Sequence, residues 1–162
     1  MAIIENALAT AKPLDTMFTS GKRVRVVQAQ IGIVGNTTAA NDVFILAKGL
    51  PAAARVVRIM LPKGAAAITG LSDVDFGFYQ SQTNKVIDID AVADGVTFAS
   101  ALGCIDLVGK NVSSFATTAD IATLCGHGAN DIPAAGYDLC ATIKAVGTTS
   151  GTIDLDIIIE ED

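Results

Sequence analysis

Asp73-Val74-Asp75-Phe76-Gly77-Phe78-Tyr79 is the stretch on which the fold turns. Val74, Phe76 and Phe78 fall on one side of an extended chain, and Asp73, Asp75, Gly77 and Tyr79 on the other. That period of two is the alternation of a strand with one face in a core and the other towards water. The same pattern returns at 152–160, where Ile153, Leu155, Ile157 and Ile159 point inward while Asp154, Asp156 and Glu160 face solvent. Ahead of it, Gly147-Thr148-Thr149-Ser150-Gly151 separates this strand from another at 139–146. Its turn chemistry predicts that the chain closes with a hairpin.

Working outward, the runs 22–31, 42–48 and 55–61 are rich in β-branched residues and bounded by Gly, Pro and Asn, so they read as further strands. Val43-Phe44-Ile45-Leu46 is apolar on both faces, which predicts a strand covered by an opposing sheet on one side and by a neighbouring segment or subunit on the other. Residues 85–90 and 102–108 add two shorter strands. Thr117-Thr118-Ala119-Asp120 reads as a capping box in its Asp variant, ahead of Ile121, Ala122, Leu124 and Cys125, with Gly126 as the stop. Residues 94–103 fit either a second helical turn or a wide loop. Many short strands broken by turn residues are a sandwich or barrel pattern.

Composition sets the outer limits. The chain has 162 residues, 51% of them hydrophobic and 17% charged, so it has the material for a packed core and not the profile of a disordered chain. The net charge of −6 and pI near 4.6 argue against a protein whose work is gripping phosphate backbones. No run of 18 apolar residues is present to span a bilayer as a helix, and Met1-Ala2-Ile3-Ile4-Glu5-Asn6 lacks the basic start of a secretory signal. Charge is uneven: 1–81 carry 8 basic and 5 acidic residues, 82–162 carry 3 and 12. The bland reading is a solvated acidic surface; the sharper one is a basic face around Lys22, Arg23, Arg25, Arg55 and Arg58 meeting an acidic partner.

Catalytic and metal constellations are thin. Cys104, Cys125 and Cys140 have apolar neighbours and an odd count, which reads as reduced, buried thiols. With His127 they make a nominal Cys3His set, but no paired C-x2-C knuckle accompanies it. Any nucleophilic triad must use His127, which stands in a turn between Gly126 and Gly128 that fixes little. Between Gly103 and Gly109-Lys110 lies one residue too many for a P-loop, and Asn111 replaces its Ser/Thr. Asp88, Asp90 and Asp94 invite a calcium reading, yet Val92 and Ala93 occupy the fifth and sixth positions of the would-be loop. The pairs Asp73/Asp75 and Asp154/Asp156 each share a strand face, as glycosidase acids can, but without Trp a sugar platform is poorly furnished. The sequence therefore predicts no enzyme and no cofactor.

Residues 1–20 differ from the rest. Pro13 and the absence of a sustained period suggest an extended N-terminal arm, ahead of a single β-sandwich domain at 21–162. Ile3, Ile4, Leu8, Leu14, Met17 and Phe18 are too many apolar side chains for a solvated tail, and they are the candidate partner interface.

A resemblance adds to this reading. Asn41-Asp42-Val43-Phe44-Ile45-Leu46-Ala47 running into Leu50-Pro51 and Arg55-Val56-Val57, then Asp75-Phe76-Gly77-Phe78-Tyr79, Ile87-Asp88-Ile89-Asp90 with Ala93-Asp94-Gly95, and Tyr137-Asp138-Leu139 through Gly151-Thr152-Ile153 carry it. Over 22–160 the chain resembles small virion proteins of tailed bacteriophages, in particular head decoration or cement proteins. The resemblance implies an all-β, antiparallel β-sandwich of jelly-roll type with at most one or two short helices. It further implies a homotrimer on the capsid exterior of the virion, made in the host cytoplasm, whose partners are the major capsid protein and itself, with no nucleic acid and no membrane. The long apolar arm is a departure from that pattern and leaves a head fibre or neck position open. The alternative of another class is a jelly-roll module binding carbohydrate or a divalent metal through 88–94.

Overall fold

The structure is a computed structural model that describes residues 2–5, 14–19, 22–112, 119–128 and 130–161; for Glu5, 14–19 and Lys22 it describes the backbone alone. Among these residues the chain forms strands β1 (Ile3–Glu5), β2 (Leu14–Thr19), β3 (Lys22–Ile33), β4 (Val43–Leu50), β5 (Arg55–Met60), β6 (Val74–Gln80) and β7 (Val86–Val96). A one-turn helix α1 (Ile121–Leu124) and strands β8 (Tyr137–Ile143) and β9 (Gly151–Glu161) follow. They build two sheets, ordered β1-β4-β8-β6-β7 and β2-β3-β9-β5. The strand content and the two packed sheets are those of an all-β sandwich. Every described strand pairing is antiparallel except β1 on β4, which is parallel.

The alternation expected in β9 is present residue for residue. Ile153, Leu155, Ile157 and Ile159 are buried between the sheets, and Asp154, Asp156 and Glu160 are half-exposed on the other face. They meet Phe44, Leu46, Phe76, Phe78, Leu139 and Ala141 from the five-stranded sheet in one continuous core, where the rings of Phe78 and Tyr137 stand edge to face at 6.3 Å. β4 is covered on both faces as its sequence predicts. Phe44 and Leu46 enter the core, while Val43 and Ile45 form a second apolar cluster with Tyr79 and Cys140 on the outer face of the sheet.

β6 departs from expectation. Its outer face is buried too: Asp75 is only 4% exposed and Tyr79 3%, where alternation predicts water. The cause is β7. Phe76 pairs with Ala93 and Phe78 with Asp88, so Ile89, Asp90, Ala91 and Val92 all stand against Gly77 alone. A bulge of this kind bends the longer strand out of the ladder. Here it folds over the face of its partner, and Ile89 packs on the outer cluster.

The predicted closing hairpin is not formed. β8 lies between β4 and β6 in one sheet, and β9 lies between β3 and β5 in the other, so 147–151 carries the chain across the sandwich. Both edges of β8 are already taken, and β9 finds its partners opposite. The helix is shorter than its signal, and its cap is Asp120 itself, whose carboxylate accepts from Thr123 N at 2.7 Å. Thr117, the expected cap, lies outside the described residues. Residues 97–103 are loop, and 102–108 contributes isolated bridges, Ala65 to Leu102 and Met60 to Asp106, in place of a strand.

That last segment still has an architectural role. Leu107 N donates to Ile59 O at 2.8 Å on β5, and Gly109 N donates to Val92 O at 2.8 Å on β7, so it closes the outer edges of both sheets on one side of the sandwich. On the opposite side β1 and β2 do the same for β4 and β3. Covered edges protect a sheet protein from pairing with stray strands.

Candidate functional site

The N-terminal segment was read as an arm, and the structure turns its described parts into two edge strands. β1 runs along β4 with Ile3 opposite Val43 and Glu5 opposite Ile45, anchored by Val43 N donating to Ala2 O at 2.9 Å and Ala2 N to Asp42 Oδ1 at 2.9 Å. Ile3 packs on the outer cluster, while Ile4 is 36% exposed. β2 runs along β3 with Leu14 opposite Val26, Met17 opposite Val24 and Phe18 opposite Arg23. Leu8 lies outside the described residues. Five of the six candidate interface residues are thus placed on two neighbouring sheet edges, and both strands lie against the chain's own body.

The expected basic face is broken up. Arg25 stands on β3 and Arg55 and Arg58 on β5, with the acidic strand β9 between them. Arg25 pairs with Glu161 at 3.5 Å, Arg55 with Glu160 at 3.9 Å and Arg58 with Asp106 at 3.9 Å. Only Arg23 of the named arginines is exposed without a described ion pair, opposite Glu161 in the register. Asp154 of β9 is engaged as well, its Oδ1 accepting from Gln30 Nε2 at 2.8 Å.

The other chemistry-bearing residues scatter. Among the described residues no three His, Cys, Asp or Glu side chains are arranged to share a metal ion. Asp75 accepts a bond from Gly95 N at 3.0 Å under the β7 turn, so it does not share a solvent face with Asp73. Burial, with Asp73 and Asp94 nearby, raises its pKa from 3.8 to about 6 against the lowering effect of Gly95 N and Lys144. Asp88 is raised by burial and by a side-chain hydrogen bond with Asp90. His127 is better fixed than its two glycine neighbours suggest: Nδ1 lies 2.8 Å from the hydroxyl of Tyr137, and the two rings are 5.7 Å apart.

The thiols divide. Burial pushes Cys125 up to about 12, with Asp88 adding to it, and raises Cys140 further. Cys104, expected inside, is exposed, and its Sγ lies 3.3 Å from Pro62 O. Its apolar neighbours Leu102 and Ile105 pack on the core from a loop that bridges the sheet edges, while Cys104 itself stays on the surface.

Two clefts flank the turn between β6 and β7. The larger, about 500 Å³, runs between Lys85 and Val86 on one wall and His127, Asp131 and Ile132 on the other. The second, about 310 Å³, is floored by Asp138, which accepts from Gly49 N at 2.9 Å and from the Ser81 hydroxyl. No local sequence signal links Gly49, Ser81 and Asp138, because strand pairing across the sheet brings them together. The larger cleft is thus lined by His127 and Asp131, and the second holds the Ser81 hydroxyl on the Asp138 carboxylate.

Comparison of the sequence with protein-family models and with curated proteins gave no match. Among solved structures, a chain described as "Cyanophage Pam1 capsid asymmetric unit" is similar, with a TM-score of 0.51 and 13% identity. The match covers 95% of this chain and 96% of that one, so the two are of similar length and share the sandwich from end to end.

Proposed function

We propose that this protein is a non-enzymatic structural component of a bacteriophage virion, a capsid decoration or cement protein that binds the outside of the assembled head and bridges major capsid subunits. The observation that carries the reading is the end-to-end likeness to a chain of a phage capsid asymmetric unit. Likeness along nearly the full length of both chains fits a sandwich that takes a place in a shell. The strand order supports the jelly-roll reading: β3, β9 and β5 with the 105–107 segment face β4, β8, β6 and β7, eight positions in two sheets. In this reading the subunit acts as a homotrimer on the capsid exterior, is made in the host cytoplasm, and uses neither nucleic acid nor membrane as a partner.

The docking element is the N-terminal segment, with Ile3, Ile4, Leu8, Leu14, Met17 and Phe18. What supports this is that β1 has only three residues and leaves Ile4 36% exposed, so the segment offers both apolar surface and an outer backbone edge. The test is co-sedimentation of the purified chain with heads, together with a variant lacking residues 1–20. The full chain is expected to pellet with heads, and the shortened one to remain a folded sandwich by circular dichroism while binding at least tenfold more weakly. A full chain that stays in the supernatant overturns the decoration reading; equal binding of the two overturns only the role of the segment.

A further inference from the structure

We infer that the cleft between the end of β4, the turn after β6 and the start of β8 is a binding site for one small organic cation, an alkylammonium or alkylguanidinium group, with Asp138 as its counter-ion. The inference stands apart from the virion reading and rests on how three strands deliver a buried carboxylate to an open space.

The delivery begins with a bulge. Ala47 pairs with Leu139 and Leu50 with Tyr137, so Lys48 and Gly49 together stand against Asp138 alone. An insertion of this kind takes backbone groups out of the ladder and re-aims them. Here Gly49, at φ +63°, turns its N–H onto Asp138 Oδ1 at 2.9 Å. From the other side of β8, Ser81 follows directly on β6, and its hydroxyl donates to the same oxygen. Ser81 is itself fixed by its N–H, which donates to Gly136 O at 3.1 Å. The pair is well sheltered, with Asp138 3% and Ser81 5% exposed.

The other half of the carboxylate is left over. Both donors go to Oδ1, and among the described residues Oδ2 accepts no hydrogen bond and Asp138 joins no ion pair. A carboxylate withdrawn from water calls for a partner of opposite charge or a further donor. Asp138 lines the cleft of about 310 Å³, and the amide side chains of Gln82 and Asn84 line it too. That volume stands at the small end of ligand sites, which run from about 300 to 1,000 Å³.

A cation carrying several N–H groups answers each of these features. Its charge meets Asp138, and its remaining donors meet amide oxygens. A neutral ligand leaves the charge unanswered, and a hard divalent ion finds one carboxylate where its sites ordinarily gather six or more oxygen ligands. Lys48 also lines the cleft, and its like charge weakens the attraction without removing it.

Titration of the full chain with methylammonium and with N-methylguanidinium, followed through the amide resonances of Gly49, Ser81, Gln82 and Asn84, tests the site. Saturable shifts are expected for at least one of the two, with a Kd on the order of 1–10 mM for ligands this small. N-methylurea, which has the shape of the guanidinium without its charge, should bind at least tenfold more weakly. Asp138→Asn, which keeps an acceptor for Gly49 N, should weaken the cation at least tenfold, and Lys48→Met should tighten it. If Asp138→Asn does not fold, raising salt should still weaken the cation and leave N-methylurea unchanged. Nα-acetyl-arginine and Nα-acetyl-lysine methylamides separate the sources: binding as tight as the free cations assigns the site to a polypeptide side chain, and weaker binding to a free amine. The inference is overturned if neither cation gives saturable shifts at these amides, if N-methylurea binds as well, if binding survives Asp138→Asn or is indifferent to salt, or if Lys48→Met abolishes it.

Discussion

Gly77 shows how one missing side chain shapes a face of the molecule. In the sequence it sits among alternating residues as an unremarked outward position, yet the Asp88 and Ile89 backbone rests where its Cβ would be. Gly77→Ala is therefore expected to destabilise by about 1–3 kcal/mol through overpacking against backbone that cannot rotate away. Urea denaturation of the two proteins measures it, and a change within error would show that β7 does not press on that position. The same contact explains why Asp75 was misread. Alternation correctly puts Asp75 opposite Phe76, but it cannot register that a bulged neighbour covers the far side. The acid's burial is a consequence of long-range backbone geometry, and nothing within 73–79 records it.

At the scale of elements, legibility tracked whether a strand's environment is set by its own pattern. β9 was readable because its acids and aliphatics alternate without interruption, and β4 because an apolar run on both faces requires two covers. The link between β8 and β9 was misread because Gly and Ser/Thr composition reports that a chain can turn, not which sheet it turns into. Tertiary packing makes that choice, and it is visible at Gly151, where a Cβ would lie 2.6 Å from Ile68 Cγ1 and 2.7 Å from Ile68 Cδ1. Ile68 is 1% exposed and so has little room to yield. Gly151→Ala should cost about 1–3 kcal/mol, lowering Tm by several degrees in a thermal scan; an unchanged Tm would mean the crossing is looser than drawn. Of the candidate interface, the apolar excess before residue 20 was legible, whereas its division into one parallel and one antiparallel edge strand was not. Parallel pairing of three residues leaves no sequence signature.

On the scale of the whole molecule, two packed sheets are closed on one side by β1 and β2 and on the other by 97–111. In the proposed role the effect of such a body comes from mass action. A ligand that binds only the assembled shell stabilises it by RT ln(1 + [L]/Kd), about 1.4 kcal/mol for each tenfold rise in free protein above Kd. Head melting should thus climb with the logarithm of added protein, as read by calorimetry or by release of packaged DNA. Melting that ignores concentration would remove the stabilising role even if binding were seen.

The pairing of β3 with β9 has a consequence for how the molecule is made. Gln30 and Asp154 meet across 124 positions of chain, and eleven register pairs join the two strands. While the polypeptide is still emerging from the ribosome, β3 has β2 on one edge but must wait, with its apolar stripe and its other edge unsatisfied, until β9 has cleared the exit. Topologies dominated by such distant pairings assemble slowly. Overproduction of this chain is therefore a race between late closure and aggregation, in which slower synthesis or lower temperature should favour soluble product.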